Sequence, residues 1–398
     1  MQTLDEFYGF MDRVQTVRRT ATAYYLIGTH QPNHAESLAN ALSAIDALPG
    51  NRTDKTLQAG DRQVTVTLDY ERNELQKDIF FLEHDDDEFF SYLSDAHDGF
   101  AGEVEDAVQF LRSNRPSAFV SDRDGTVNNY CGRYRSSHQP IWNAVYLTRY
   151  AQDVVDAPVI LTSAPLTNGG LLDLTAMPER STSYAGSLGR EYSDRAGRTG
   201  AMDIDPTQAA ALSRLNERID ALLSEPDFRV FALIGSGLQH KFGQTTVARQ
   251  DIHGSIPDDH SARFLDAIRS AVHEVDSAGE TFGIEDTGKD IEIMLTVDGA
   301  RGFSKGDGLE YLNEALGLGV TEAASLICGD TASDLAMAEK AVELGGADRA
   351  AALFVTRDEG LRRAVKGAVR RCHFVSTPDV LVTALYRIAG EHGARREE

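Results

Sequence analysis

Cysteine is scarce: the 398-residue chain has three, Cys131, Cys328 and Cys372. Odd in number, scattered and without metal-ligand spacing, they exclude a disulfide framework and a structural zinc site and suit a reducing cytoplasm. Cys328, in a short apolar run, reads as packing. Also missing is any apolar run near the roughly 18 residues that a membrane span needs. The N-terminus, Met1-Gln-Thr-Leu-Asp-Glu6, is acidic where a secretory signal is basic. Positive charge is the third shortage: 39 Lys and Arg face 62 Asp and Glu, a net charge of −23. Such an excess repels nucleic acid and anionic lipid, and no basic stripe relieves it. His138, His240, His253 and His260 are too far apart to read as a zinc triad. What stays open is a small ligand, bound where a few cations and a metal converge; oligomeric state has no signal.

The length predicts more than one packed unit. Pattern divides the chain into an N-terminal α/β region over 1–115, a core over 116–200 and 301–392, and an insert over 201–300. In the first, helices are expected over 4–14, 35–48 and 102–113 and strands over 20–27 and 63–70; Asp85-Asp-Asp-Glu88 reads as a solvated loop or helix start. From 117 onward, short apolar runs at 118–121, 159–163, 324–328 and 351–355 each lead through turn residues into helix pattern. That spacing predicts βαβ units and a doubly wound parallel sheet, where ligands collect at the carboxyl ends of the strands. In the insert, a helix over 206–223 capped by Asp205 precedes strands over 229–234 and 245–251, a helix over 261–275, and strands over 281–284 and 290–297. The order αββαββ predicts a separate α+β cap over the strand ends. The glycine-rich Gly235-Ser-Gly-Leu238 lacks nucleotide-loop spacing and reads as a turn.

Chemistry concentrates at two strand ends. In Phe119-Val-Ser-Asp-Arg-Asp-Gly-Thr126, Asp122 and Asp124 stand two apart and share a face, and Gly125 permits a sharp departure of the chain. Alone, this motif fits an acidic turn as well as a reacting centre. Gly329-Asp-Thr-Ala-Ser-Asp334 adds two carboxylates at the edge of the same expected sheet. Hard oxygen ligands of this kind suit Mg²⁺, which binds through a few carboxylates plus substrate phosphate. Ser163, ending the run Val-Ile-Leu-Thr-Ser, and Lys305, opening a helix, supply the hydroxyl and ammonium that a phosphoryl group requires.

Taken in order, these pieces resemble the haloacid-dehalogenase-like phosphohydrolases over about 117–390. The resemblance implies that Asp122 is the nucleophile forming an aspartyl phosphate and Asp124 the general acid and base. Ser163 and Lys305 would hold the phosphoryl group. Mg²⁺ would be bound by Asp122, the Asp124 backbone and Asp330, with Asp334 supporting the site. A cap in this position resembles the subgroup that acts on sugar phosphates.

Three further segments are similar to trehalose-6-phosphate phosphatases: Tyr184-Ala-Gly-Ser-Leu-Gly-Arg-Glu-Tyr192, Lys241-Phe-Gly-Gln-Thr-Thr-Val-Ala-Arg249, and the strand bearing Glu292. They imply that Lys241, Arg249 and Glu292, with Thr126 and Gly186, address the substrate. Lys241 and Arg249 equally fit the exposed ends of a strand. Leu188 stands where those enzymes usually have histidine, Ala164-Pro165 where many have Gly-Arg, and the connection over 297–304 is long. The expected substrate is trehalose 6-phosphate. The alternatives are another phosphodisaccharide or pseudo-disaccharide phosphate, sucrose-phosphate-like or validoxylamine-phosphate-like, or a sugar phosphomutase reaction.

Overall fold

The computed structural model describes residues 1–29, 32–296 and 302–397; residues 297–301, within the long connection over 297–304, lie outside the described residues. The chain opens with α1 (Leu4–Leu26), α2 (Pro32–Asp46), a hairpin of β1 (Asp54–Ala59) and β2 (Arg62–Thr67), then α3 (Asp69–Glu83), α4 (Asp86–Ala96) and α5 (Phe100–Asn114). Helix dominates this region more than the sequence predicts. The stretch expected as a strand over 20–27 continues α1, because Arg18, Ala21 and Thr22 are buried at helical spacing and packing overrides local β propensity. Asp85 and Glu88 form the capping box that starts α4.

The core follows as β3 (Ala118–Ser121), α6 (Ile141–Asp153), β4 (Ala157–Leu161), α7 (Leu171–Leu174), β5 (Ser183–Gly186), β6 (Glu191–Ser193) and β7 (Thr199–Ala201). After the insert come α10 (Lys305–Leu316), β12 (Ser325–Gly329), α11 (Ala332–Gly345), β13 (Ala350–Val355), α12 (Glu359–Ala368), β14 (Arg371–Val375) and α13 (Pro378–Glu397). They build one eight-stranded sheet in the order β14-β13-β12-β3-β4-β5-β6-β7, parallel from β14 to β5 and antiparallel beyond. Alternation assigns its faces: Val120, Val159, Ile327 and Phe354 bury with residues of α10, α11 and α12, whereas Phe119, Ile160, Leu326 and Leu353 bury with residues of α6 and α13. Chain direction across the sheet reverses between β3 and β12, so the crevice at their carboxyl ends is the switch point where such sheets bind ligands.

The insert is α8 (Pro206–Ser224), β8 (Leu238–Lys241), β9 (Gln244–Ala248), α9 (Asp258–Val275), β10 (Phe282–Asp286) and β11 (Asp290–Leu295), with sheet order β10-β11-β9-β8. Asp205 caps α8 through the Thr207 and Gln208 amides. Residues 229–234, expected as a strand, instead carry the 3-10 turn Arg229–Ala232. Val230 and Phe231 are both buried, which a half-buried strand alternating its faces cannot achieve, and Phe231 stacks on Phe264 of α9. Among the described residues no helix is long and apolar enough to cross a membrane.

The N-terminal helices pack on the core through α1 against α6 and α5 against α13. Lys77 of α3 is buried there, 2.7 Å from Asp379 at the start of α13 and 2.9 Å from Glu74. Lys77→Met leaves two buried carboxylates without their cation and should lower the unfolding free energy by about 3–5 kcal/mol in denaturant titration. A loss under about 1 kcal/mol would mean that the pair is not what joins α3 to α13.

Candidate active site

The two strands at the switch point deliver the acidic motifs side by side. Ser121 pairs with Cys328, and the Asp122 amide donates to the Cys328 carbonyl at 3.0 Å. Gly125 is left-handed (φ +90°), and a Cβ there would sit 2.2 Å from Asp330 Oδ2, so glycine is what admits the second carboxylate. Thr126 is fully buried; its Oγ1 lies 3.2 Å from Asp122 Oδ2 and 3.0 Å from Asp330 Oδ1, one hydroxyl proton serving one oxygen at a time.

Lys305, the first residue of α10, sends Nζ to 2.5 Å from both Asp122 Oδ1 and Asp334 Oδ1. Ser304 and Asp307 cap that helix and fix its first turn. Asp334 is the third residue of α11, and its Oδ2 accepts from the amides of Asp330 (3.1 Å) and Thr331 (2.9 Å) and from Thr331 Oγ1 (2.9 Å). The spacing Thr331-Ala-Ser-Asp334 is thus a capping box that orients the loop carrying Asp330.

Charge in this cluster does not balance. Oxygens of Asp122, Asp330 and Asp334 lie within 4.8 Å of one another. Burial pushes the Asp122 carboxyl up to about 6 against the pull of Lys305, so it is still an anion at neutral pH. Burial, reinforced by the charges of Asp122 and Asp334, raises Asp330 to about 8. Asp334 overcomes burial through Lys305 and its two amide donors and stays below the usual carboxylate range. Lys305 rises well above its ordinary value, burial being outweighed by Asp122 and Asp334. With all three carboxylates ionised, one ammonium leaves an excess of two negative charges, of which the raised Asp330 sheds one at neutral pH; the donor set fits a divalent, oxygen-seeking cation.

Asp124 is oriented separately. Its Oδ1 accepts from Arg123 Nη1 at 2.6 Å and Ser137 Oγ at 2.5 Å, while Arg123 Nη2 bonds the Ser137 carbonyl. Sequence reasoning left the buried Arg123 without a role; here it ties Asp124 to the loop ending at Ser137.

A cavity joins these groups to the cap, and Asp122, Asp124, Ser163, Lys305 and Asp330 line it from below. From above come Gln239 and Lys241 of β8, Thr246 of β9 and Glu292 of β11. Thr246 pairs with both Gln239 and Glu292, so these three form one row across the sheet. The alternate residues on these strands face the cap helices: His240 Nε2 is 2.9 Å from Asp220 and Thr245 Oγ1 is 2.5 Å from Asn216, both on α8. Arg249 falls on that side, bonding Asp286 Oδ2 at 2.6 Å and Ser261 Oγ at 3.0 Å, and is not part of the cavity lining. Gly186 is not in the lining either; a Cβ there would lie 2.5 Å from the Leu166 amide, so its role is close backbone packing. Gln239, Thr246 and the loop residues 130–134 had escaped sequence reasoning. Recognising Phe242-Gly243 as a hairpin turn would have revealed β8 and, by parity, the first two.

Two family models match the chain. One described as trehalose-6-phosphate phosphatase, C-terminal, matches residues 119–381, and one described as the trehalose-6-phosphate phosphatase N-terminal helical bundle domain matches 3–99. The chain belongs to the trehalose-6-phosphate phosphatase family. The alpha,alpha-trehalose-phosphate synthase (UDP-forming) 1 of Caenorhabditis briggsae is 30% identical over 426 residues, covering 97% of this chain and 31% of that protein. The trehalose-phosphatase of Brugia malayi is 30% identical over 430 residues, covering 98% of this chain and 87% of that one. A solved trehalose-6-phosphate phosphatase from Aspergillus fumigatus aligns with 72% of this chain and 97% of its own at 14% identity, TM-score 0.42. Within this member of the trehalose-6-phosphate phosphatase family, Leu188 acts through its backbone: left-handed (φ +64°), it donates to the Thr162 carbonyl at 3.0 Å, and its side chain is not in the cavity lining.

Lys241 is the cavity's adjustable cation. Burial lowers its amine to about 8, partly offset by Glu292 and Asp290, so it loses its proton as pH rises through that value. The chain has only seven lysines, so an NMR titration of ¹³C-methylated lysines should resolve one resonance moving near pH 8 that Lys241→Arg removes. If every lysine titrates above about 10, Lys241 is ordinary and solvated.

Proposed function

We propose that the protein hydrolyses the phosphate ester of trehalose 6-phosphate, with Mg²⁺ as cofactor and Asp122 as the transient carrier of the phosphoryl group. The observation that carries this reading is Asp122 itself: an anion at the switch point, aimed by Lys305 at 2.5 Å, beneath a cap that supplies one buried lysine and one glutamate. In the first half-reaction an Asp122 carboxylate oxygen attacks phosphorus. The new Asp–O–P bond forms as the bond to the sugar oxygen breaks, and Asp124 gives that oxygen a proton. In the second, Asp124 takes a proton from water as the water attacks phosphorus. The Asp–O–P bond breaks, inorganic phosphate leaves and Asp122 is restored.

Catalysis of this kind rests on in-line positioning and charge neutralisation. Lys305 and the Ser163 hydroxyl address the phosphoryl oxygens. Asp122, Asp330 and the Asp124 backbone carbonyl would hold Mg²⁺, which when bound neutralises phosphoryl charge. Asp334, with both oxygens already engaged, acts by fixing Lys305 and the Asp330 loop. Thr126 steadies the two carboxylates. On the cap, Lys241 donates and Glu292 accepts, a pairing suited to sugar hydroxyls; the Gln244 amide holds Glu292 at 3.1 Å.

Asp122→Asn should reduce phosphate release by roughly four to six orders of magnitude with the fold intact by circular dichroism, and chelation should silence the wild type until Mg²⁺ is restored. Turnover surviving in the variant would remove Asp122 as nucleophile. In a phosphate-release panel, trehalose 6-phosphate should exceed sucrose 6-phosphate and glucose 6-phosphate in kcat/KM by about tenfold or more, the scale of one or two cap contacts. Equal values across the panel would discard the trehalose assignment, and isomerisation of a sugar phosphate without phosphate release would point to a mutase.

A further inference from the structure

We infer that Glu71, on the N-terminal helix α3, is a positioning residue for the sugar-facing wall of the cavity, which makes the N-terminal region part of substrate recognition. The inference rests on the phosphatase reading above. The wall is the segment 130–134, which follows the Asp122–Thr126 motif and lines the cavity. It has no strand or α-helix of its own up to the short 3-10 turn Tyr134–Ser136, so no sheet ladder fixes it. On its cap side the support is thin: the Tyr134 amide donates to the Gly235 carbonyl at 3.3 Å, and Gly132 lies against Ile252.

From behind, it is clamped by α3. Glu71 is completely buried and receives Arg133 Nη2 at 2.7 and 2.9 Å and Ser136 Oγ at 2.6 Å. Arg133 is 4% exposed and lines the cavity, and among the described residues Glu71 is the only hydrogen-bond partner of its guanidinium. Its Nε is buried with no hydrogen-bond partner, so no second contact holds the guanidinium in place. Neighbouring positions on α3 act the same way: Tyr70 holds Asn128 through a 3.0 Å bond, and Glu74 takes the Asn129 amide at 2.9 Å. A helix outside the catalytic core thus sets where the residues after the reacting motif can stand. Glu71 touches neither the reacting carboxylates nor the position of the phosphoryl group, so its influence should fall on the sugar.

The test compares trehalose 6-phosphate with p-nitrophenyl phosphate, which offers the phosphoryl group without a sugar. Glutamine has one acceptor oxygen where glutamate has two, so Glu71→Gln cannot hold both Arg133 contacts and Ser136 at once. It should raise KM for trehalose 6-phosphate about tenfold, at least three times more than KM for p-nitrophenyl phosphate, with kcat reduced far less. Ser136→Ala, which removes one donor and keeps the ion pair, should shift KM in the same direction by about threefold and carries the test if Glu71→Gln does not fold. Equal loss on both esters, or no change on either, overturns the inference while the phosphatase reading stands. A wild-type protein that hydrolyses neither ester overturns both.

Discussion

The Lys305 ammonium, held between Asp122 and Asp334 at 2.5 Å each, is the contact on which the rest of the site depends. It comes from the first turn of α10, reaches the loop after β3 and the first turn of α11, and so joins three elements far apart in sequence. Without it, the buried Asp122 and Asp334 and the half-buried Asp330 would face one another with no cation. With it, two of them stay ionised and the third, Asp330, keeps its proton until another positive charge arrives. Local structure serves this arrangement: Gly125 clears the space beside Asp330, and the Thr331–Asp334 capping box turns the Asp330 loop toward Asp122.

Around that centre the other two regions shape the cavity, the cap by lining it and the N-terminal helices by holding its wall. The cap sheet presents a row of polar side chains on one face and packs its helices on the other, so which residues meet a ligand follows from strand parity alone. The N-terminal helices reach the cavity indirectly, through the buried polar face of α3, and they also touch the cap, where Tyr8 donates to the Leu233 carbonyl at 2.6 Å. On the function proposed above, recognition of the leaving group is spread over all three regions and the phosphoryl chemistry belongs to the core.

How much of this was legible in the sequence varied with how local the signal was. That Asp122, Asp330, Ser163 and Lys305 gather at one cavity was readable because each lies at a strand end or helix start marked by its immediate neighbours, and the fold class followed from the spacing of the apolar runs. Residues 20–26 were misread because their β-branched and aromatic side chains suggest a strand while burial of Arg18 and Thr22 imposes a helix. Residues 229–234 were misread because consecutive apolar residues do not reveal that both pack inward. Arg249 looked like a cavity residue by similarity, and the register of β9 sends it to Asp286 instead. Glu71 and Arg133 could not be paired in advance, since no local pattern links positions 62 residues apart.

Fully ionised, the cluster would hold two negative charges in excess of Lys305; a proton on Asp330 relieves one of them, and an arriving cation takes that proton's place. Calorimetric titration with Mg²⁺ at pH 7, repeated in buffers of different ionisation enthalpy, reads this directly as protons released per ion bound. With Asp330 near 8, the account predicts release of close to one proton at pH 7, falling toward zero by about pH 10, and none in Asp330→Asn. Mg²⁺ binding to the wild type with no proton release at pH 7 would contradict it, because Asp330 would then be ionised already and the charge would be balanced in some other way.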